Sequence, residues 1–233
     1  MIFNVTNGFS AKKSEGSLTL SAASGTINGK NQTLTFTINR VGDGLISVSS
    51  SDSSIAIATL SETTVTVTSK GYGTATITVS VAESKEYTAP IDATFTVTVD
   101  YVYLFKEGVG ALVPFRCGAA GGATGSVTVN TDYIHLGVWP QSSYALTQNK
   151  VDLTETTTVY MEAKIGDTGN GALVAMSSWP SDGRPDHPSN AVAQKAFSEN
   201  NVRTTYTLSL AAGSYHIGAS GGVAGYIYTI YYK

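Results

Sequence analysis

Apolar and polar residues alternate along most of this chain. In TLTFTINR, residues 33–40, Leu34, Phe36 and Ile38 share one parity while Thr33, Thr35 and Thr37 share the other, the period-2 signature of a strand buried on one face. The alternation recurs at Val65 and Val67, at Ala75, Ile77, Val79 and Val81, and at Phe95, Val97 and Val99. Turn-forming phrases separate these runs: NGK at 28–30, GDG at 42–44 and KGYG at 70–73. About seven short strands between residues 14 and 99 is the pattern of a β-sandwich.

The same reading continues beyond residue 100 with a different texture. Sixteen of the 22 aromatic residues lie there, both tryptophans among them. Strands are expected around Val127 and Val129, around Ile134, Leu136 and Val138, and across Val159, Met161, Ala163 and Ile165. Others follow at Leu208 and Leu210, at Tyr215 and Ile217, and at the closing YIYTIYY. Two glycine-rich stretches, GAAGGATG and GASGGVAG, read as loops that break strands. The expected division is an N-terminal attachment segment over 1–13, one sandwich over 14–99 and a second over 100–233. VTVDYVYLF at the border has no Pro or Gly and reads almost as one strand, so a stiff joint is expected. Ile2, Phe3, Val5 and Phe9 are too apolar for a free tail, which points to a segment that adds a strand to an exposed sheet edge.

Composition narrows the function classes. Charged residues make up 13% of the chain and Gly 24 of 233 residues, a profile of strands and tight turns rather than helices. The net charge of −3 leaves no basic field for nucleic acid. No run of eighteen apolar residues is present, so no membrane insertion by a helix is expected. Cys117 is the only cysteine, which excludes an internal disulfide and a thiolate metal cluster. MIFNVTNGFSAKK has neither a basic leading region nor a long apolar one, and does not read as a signal peptide. The expectation is a mature fragment, or a protein that leaves its cell by another route such as lysis.

ISVSSSDSSIAIATLSETTVTVTSKGYGTATITVSV followed by EYTAPIDATFTVTV resembles the bacterial immunoglobulin-like domains of group 2. The likeness spans roughly residues 17–99, with Gly73-Thr74-Ala75-Thr76-Ile77 its most specific part; the Trp often found before the serine-rich segment is absent, with Ile46 or Val48 in its neighbourhood. The resemblance implies a spacer or adhesive module of surface proteins and phage virions. MIFNV with its following turn is similar to the opening of tail and fibre proteins of phages of Gram-positive gut bacteria. KVDLTETTTVYMEAKIG, TTYTLSLAAGSYHIGASG and the last strand resemble the jelly-roll carbohydrate-binding-like domains at the ends of phage and bacterial surface proteins. The fold class expected is therefore all-β, an immunoglobulin-like sandwich followed by a jelly-roll-like one.

Candidate chemistry is sparse. His135, His187 and His216 are the only bases for nucleophilic catalysis, and no Gly-x-Ser-x-Gly elbow accompanies them. Glu155, Glu162, Asp167, Asp182 and Asp186 offer carboxylates for glycoside cleavage, but solvated surface explains them better. GDTGNG and SDGRPD carry oxygen ligands without the ordered spacing of a calcium loop. No metal and no cofactor are expected. Asn4-Val5-Thr6 and Asn31-Gln32-Thr33 match the glycosylation acceptor pattern, which has a mechanism only in a eukaryotic secretory route.

The aromatic pattern is the best candidate. Tyr133, His135 and Trp139 share one parity of a strand whose other parity carries Ile134, Leu136 and Val138. With the aliphatic side in the core, the aromatic side faces outward and offers flat faces to the C–H surface of a sugar. Trp179, held extended by the following proline in SSWPSDGRPDHPSN, is expected nearby. The alternative is that one or both tryptophans plug the sandwich or a subunit interface, because large aromatics are mostly buried. The resulting reading is a non-enzymatic phage virion protein, released by lysis and assembled with other virion proteins, with a homo-oligomer such as a trimer fibre, or a repeated array on the virion, as the ways to present several copies. An immunoglobulin-like spacer would present a terminal sandwich to host-surface glycans. The rivals are a bacterial cell-surface adhesin, an accessory carbohydrate-binding module of a secreted protein and, last, a glycan-degrading enzyme.

Overall fold

The computed structural model describes residues 12–119, 127–137, 143–166, 171–179, 191–221 and 224–233. Trp139, His187, the loop acids Asp167, Asp182 and Asp186, and all but the last two residues of the 1–13 attachment segment lie outside the described residues. The protein is all-β: an immunoglobulin-like β-sandwich followed by a jelly-roll-like one. Two compact units divide it, residues 1–100 and 101–233.

Among the described residues of the first unit eight strands form: β1 (Ser17–Leu20), β2 (Ser24–Asn28), β3 (Thr33–Val41), β4 (Ile46–Ser50), β5 (Ala56–Ser61), β6 (Thr64–Ser69), β7 (Gly73–Val81) and β8 (Ala93–Asp100). They make two four-stranded sheets, β1-β3-β6-β5 and β2-β8-β7-β4, with β2 parallel to β8. Register explains the alternation. Phe36 lies opposite Val65 and Ile77 opposite Phe95 on the inner faces, while Thr35 meets Thr66 and Thr76 meets Thr96 outside. The two sheets lock through Phe36 and Phe95, whose rings stack at 4.4 Å and 18° inside a buried cluster that includes Val67, Ile77 and Val97. The predicted NGK, GDG and KGYG turns contain Gly29, Gly42 and Gly73, all at positive φ.

Among its described residues the second unit has thirteen strands: β9 (Val102–Lys106), β10 (Gly110–Ala111), β11 (Phe115–Ala119), β12 (Thr128–Val129), β13 (Ile134–Leu136), β14 (Ser143–Thr147), β15 (Val151–Leu153), β16 (Thr157–Ile165), β17 (Ala172–Met176), β18 (Ala193–Ala196), β19 (Arg203–Leu210), β20 (Gly213–Gly221) and β21 (Gly225–Tyr232). Seven of them, β9, β10, β12, β13, β16, β19 and β21, build one sheet; the other six build its partner. Between the sheets lie Phe105, Ile134, Leu136, Met161 and Ile230 from the first and Ala145, Leu173 and Ile217 from the second, all fully buried.

The two outer faces of this sandwich differ. On the six-stranded sheet β14 and β17 are buried at every residue, because Tyr144, Leu146, Val174 and Met176 form a second cluster on the outer side with Trp179 and Ala191 against it. On the seven-stranded sheet β16 and β19 alternate buried and accessible residues, so its outer face is open.

One expectation is corrected. GAAGGATG and GASGGVAG are not wholly loops: Gly118 and Ala119 close β11, and Gly218 through Gly221 close β20. The reason is close backbone approach. A Cβ on Gly218 would stand 2.0 Å from the carbonyl oxygen of Ala145 on the paired strand, so glycine here permits strand pairing instead of ending it.

The Phe36–Phe95 contact yields a prediction. Phe95→Ala should lower the stability of the N-terminal unit by about 3–5 kcal/mol, whereas Thr35→Ala on the outer face should stay within about 0.5 kcal/mol. Urea unfolding of each variant checks this, and equal losses would show that the stacked pair does not anchor the sandwich.

Candidate functional site

The outer face of the seven-stranded sheet is organised around β21. Its residue Tyr226 lies directly opposite His135 on β13 and directly opposite Lys164 on β16. Tyr133, reached through a turn in which Asn130 Oδ1 accepts hydrogen bonds from the backbone amides of Asp132 and Tyr133, places its ring edge-on to Tyr226 at 5.0 Å. His135 lies against Tyr226 at 4.9 Å with a tilt of 33°. Tyr226 is 38% exposed, more than any other aromatic residue among the described residues.

Beside this ring is a cleft of about 270 Å³ lined by His135, Lys164, Gly166, Asn201, Ala224, Gly225 and Tyr226. Its floor depends on glycine: a Cβ on Gly225 would fall 2.8 Å from both the Lys164 carbonyl oxygen and the Ile165 side chain. Asn201 enters from the turn before β19 with φ of 56°, tied by its amide to the Ile165 carbonyl at 2.6 Å. The volume lies just below the usual small-molecule range of about 300–1,000 Å³, which suits a single ring entering from an open surface.

Farther along β21, Tyr231 stacks on Tyr160 at 4.9 Å and on Tyr101 at 5.0 Å, with Tyr103 tilted at 5.6 Å. Lys233 sits over Tyr101 and Tyr160, and Lys106 over Tyr103. The faces of Tyr231 are thus taken by neighbouring rings. Between the two aromatic groups Arg203 lies 4.0 Å from the Tyr228 ring and binds two carboxylates, Glu162 through Nε at 2.5 Å and Glu107 through Nη1 at 3.1 Å.

The sequence candidates separate under this geometry. Tyr133 and His135 come together and face outward, with Ile134 and Leu136 buried behind them. Trp179 is not near them. It follows β17 on the outer side of the opposite sheet, 4.8 Å from His216, 6.1 Å from Tyr144 and 4.4 Å from the Arg116 guanidinium. Trp179 therefore plugs the covered face, which is the packing alternative. Tyr226, Lys164 and Asn201 escape sequence reasoning because each is ordinary in its own segment; the outward parity of Tyr226 within YIYTIYY is the one available signal.

His216 is 5% exposed, and its Nδ1 lies 2.9 Å from the Thr147 carbonyl, which makes that nitrogen the donor. Arg203 beside Glu107 holds that carboxyl below the usual range, and the carboxylates hold the guanidinium charged. A glycosidase acid needs the opposite shift. Among the described residues no group of three or more His, Cys, Asp or Glu comes together.

No protein-family model matches the chain, and no curated protein sequence matches it. Among solved structures it is similar to the carbohydrate recognition domain of Emp47p, with 11% identity and a TM-score of 0.36 over 55% of this chain and 93% of that one. It is also similar to a carbohydrate-binding module of the β-sandwich superfamily, at 14% identity and a TM-score of 0.35 over 95% and 98%. A third likeness is to the cleaved adhesin domain of Lys-gingipain from Porphyromonas gingivalis, at 14% identity and 0.30 over 51% and 82%.

Two outcomes follow from the packing of the six-stranded sheet. Trp179→Ala should destabilise the C-terminal unit by about 1–3 kcal/mol, less than a fully buried Trp because the ring is only partly buried; thermal unfolding measures it, and an unchanged midpoint would show an idle ring. Burial pushes the Cys117 thiol up to about 11, so near pH 8 its thiolate fraction is about a hundredfold below that of a free cysteine. Iodoacetamide should label it slowly in the native chain and rapidly in urea. Equal rates would contradict the burial.

Proposed function

We propose that this chain is a non-enzymatic adhesion protein whose C-terminal sandwich binds glycans on the open face of its seven-stranded sheet. The observation that carries the reading is the exposed Tyr226 ring, framed by Tyr133, His135 and Lys164 beside a cleft of about 270 Å³. An aromatic face meets the C–H side of a pyranose, and the imidazole, ammonium, amide and phenol groups at its rim meet hydroxyls. The open face supports a binding module: it admits a chain from solvent, and a surface ring orients a sugar without enclosing it.

The N-terminal sandwich is a spacer in this reading, of the bacterial immunoglobulin-like group 2 type that its Gly73–Ile77 phrase resembles. Among the described residues its threonine-lined outer faces carry no cluster that suggests chemistry. The proposed setting is the virion of a bacteriophage, with the chain assembled among other virion proteins and displayed in several copies. Copy number matters physically. One sugar on one tyrosine gives affinity near millimolar, about −4 kcal/mol, and several linked copies raise avidity by about 10² to 10⁴ without a new contact.

The test is an immobilised glycan panel probed with the full chain presented multivalently. Wild type should bind at least one oligosaccharide. Tyr226→Ala should weaken binding about tenfold, the loss expected for one stacking contact, with an unchanged melting temperature. No binding to any glycan, or binding indifferent to Tyr226→Ala, would refute the assignment.

A further inference from the structure

We infer that the saccharide selected by this cleft is anionic, with Lys164 meeting its negative group while the sugar ring lies on Tyr226. This rests on the glycan reading above. Lys164 is exposed, and its ammonium has no ion pair among the described residues. An ammonium is donor-only, and among the described residues no carboxylate lines the cleft to receive it. The complementary ligand supplies a charged acceptor next to an apolar ring face.

The neighbouring strands reinforce this. Lys164 lies directly opposite Arg203 in the β16–β19 register, and like charges at a cross-strand pair are unfavourable. The two carboxylates that offset this arrangement, Glu107 and Glu162, are both engaged by Arg203: Nε and Nη2 reach Glu162 at 2.5 and 2.9 Å, and Nη1 and Nη2 reach Glu107 at 3.1 and 2.5 Å. Glu162 is two residues from Lys164 on the same face of β16, and would be its natural partner if released. Arg203 therefore keeps the Glu162 carboxylate off Lys164 and leaves the ammonium to an incoming anion. The side chains along this face include Lys106, Lys164, Arg203 and Lys233, and Glu162 with the adjoining Glu107, in a chain whose net charge is −3.

Carboxylate and phosphate substituents share this chemistry, and the probes separate them. Binding of the full chain is measured to an oligogalacturonate, to its methyl ester, which keeps the sugar chain and removes the charge, and to a glycerol-phosphate polymer. At least one anionic probe should bind about tenfold tighter than the ester, and rising ionic strength should narrow that gap. Lys164→Gln should bring the acid-to-ester ratio close to one, and Lys164→Arg should restore it. Arg203→Ala should also lower the ratio by freeing Glu162. If acid, ester and phosphate polymer bind equally, with a ratio insensitive to Lys164→Gln, the anion inference is overturned and the glycan reading stands. If none of the three binds while a neutral glycan elsewhere in the panel does, the anion inference is likewise overturned and the glycan reading again stands. If no glycan binds at all, both fall.

Discussion

The C-terminal strand β21 is the constraint on which the second sandwich depends. Along one edge it pairs with β16 from Gly225 to Tyr232; along the other it pairs with β13 near its start and with β9 near its end. A strand at the end of the chain thus joins segments from the beginning and the middle of the unit. Its register is held by Ile227 and Ile230, both fully buried. A slip of one residue would turn those isoleucines out and the tyrosines in. The bulge opposite Glu162 and Ala163 adds one residue between them, which reconciles buried positions three apart with an outward Tyr226 and an outward Tyr231. Without that extra residue the two tyrosines, of opposite parity, would fall on opposite faces.

Asymmetry between the sheets then decides where a ligand can go. The six-stranded sheet carries apolar residues on both sides, and its outer side is capped by a cluster that includes Trp179. The seven-stranded sheet is apolar only inside, so aromatic and charged side chains accumulate on its exposed face. In the first unit both outer faces bear threonines in cross-strand register, a surface that is polar, β-favouring and chemically quiet.

Four of the eight strands described in the first unit, β3, β6, β7 and β8, were legible in the sequence, since Leu34, Phe36 and Ile38 and their counterparts announce a face by local alternation alone. Tyr133 and His135 were legible for the same reason: the aliphatic Ile134 and Leu136 oblige them to face out. Glycine misled where its cause was non-local. Gly218 looks like a strand breaker in sequence, but it is required by the carbonyl of Ala145 on another strand. Trp179 misled in a related way, because nothing in SSWPSDG states which sheet lies beneath it.

By itself, then, the sequence determined the class of fold, the inward and outward parity of its strands, and an aromatic-rich second half. Parity is a property of residues two apart and needs no partner to be defined. Tertiary structure alone decided that Tyr226 meets His135 and Lys164, that Trp179 belongs to the opposite sheet, and that Arg203 takes both glutamates. Those contacts join residues far apart in the chain. Their pairing follows from which registers bury Ile227, Ile230 and Met161 together, a condition on the whole core that no local pattern records.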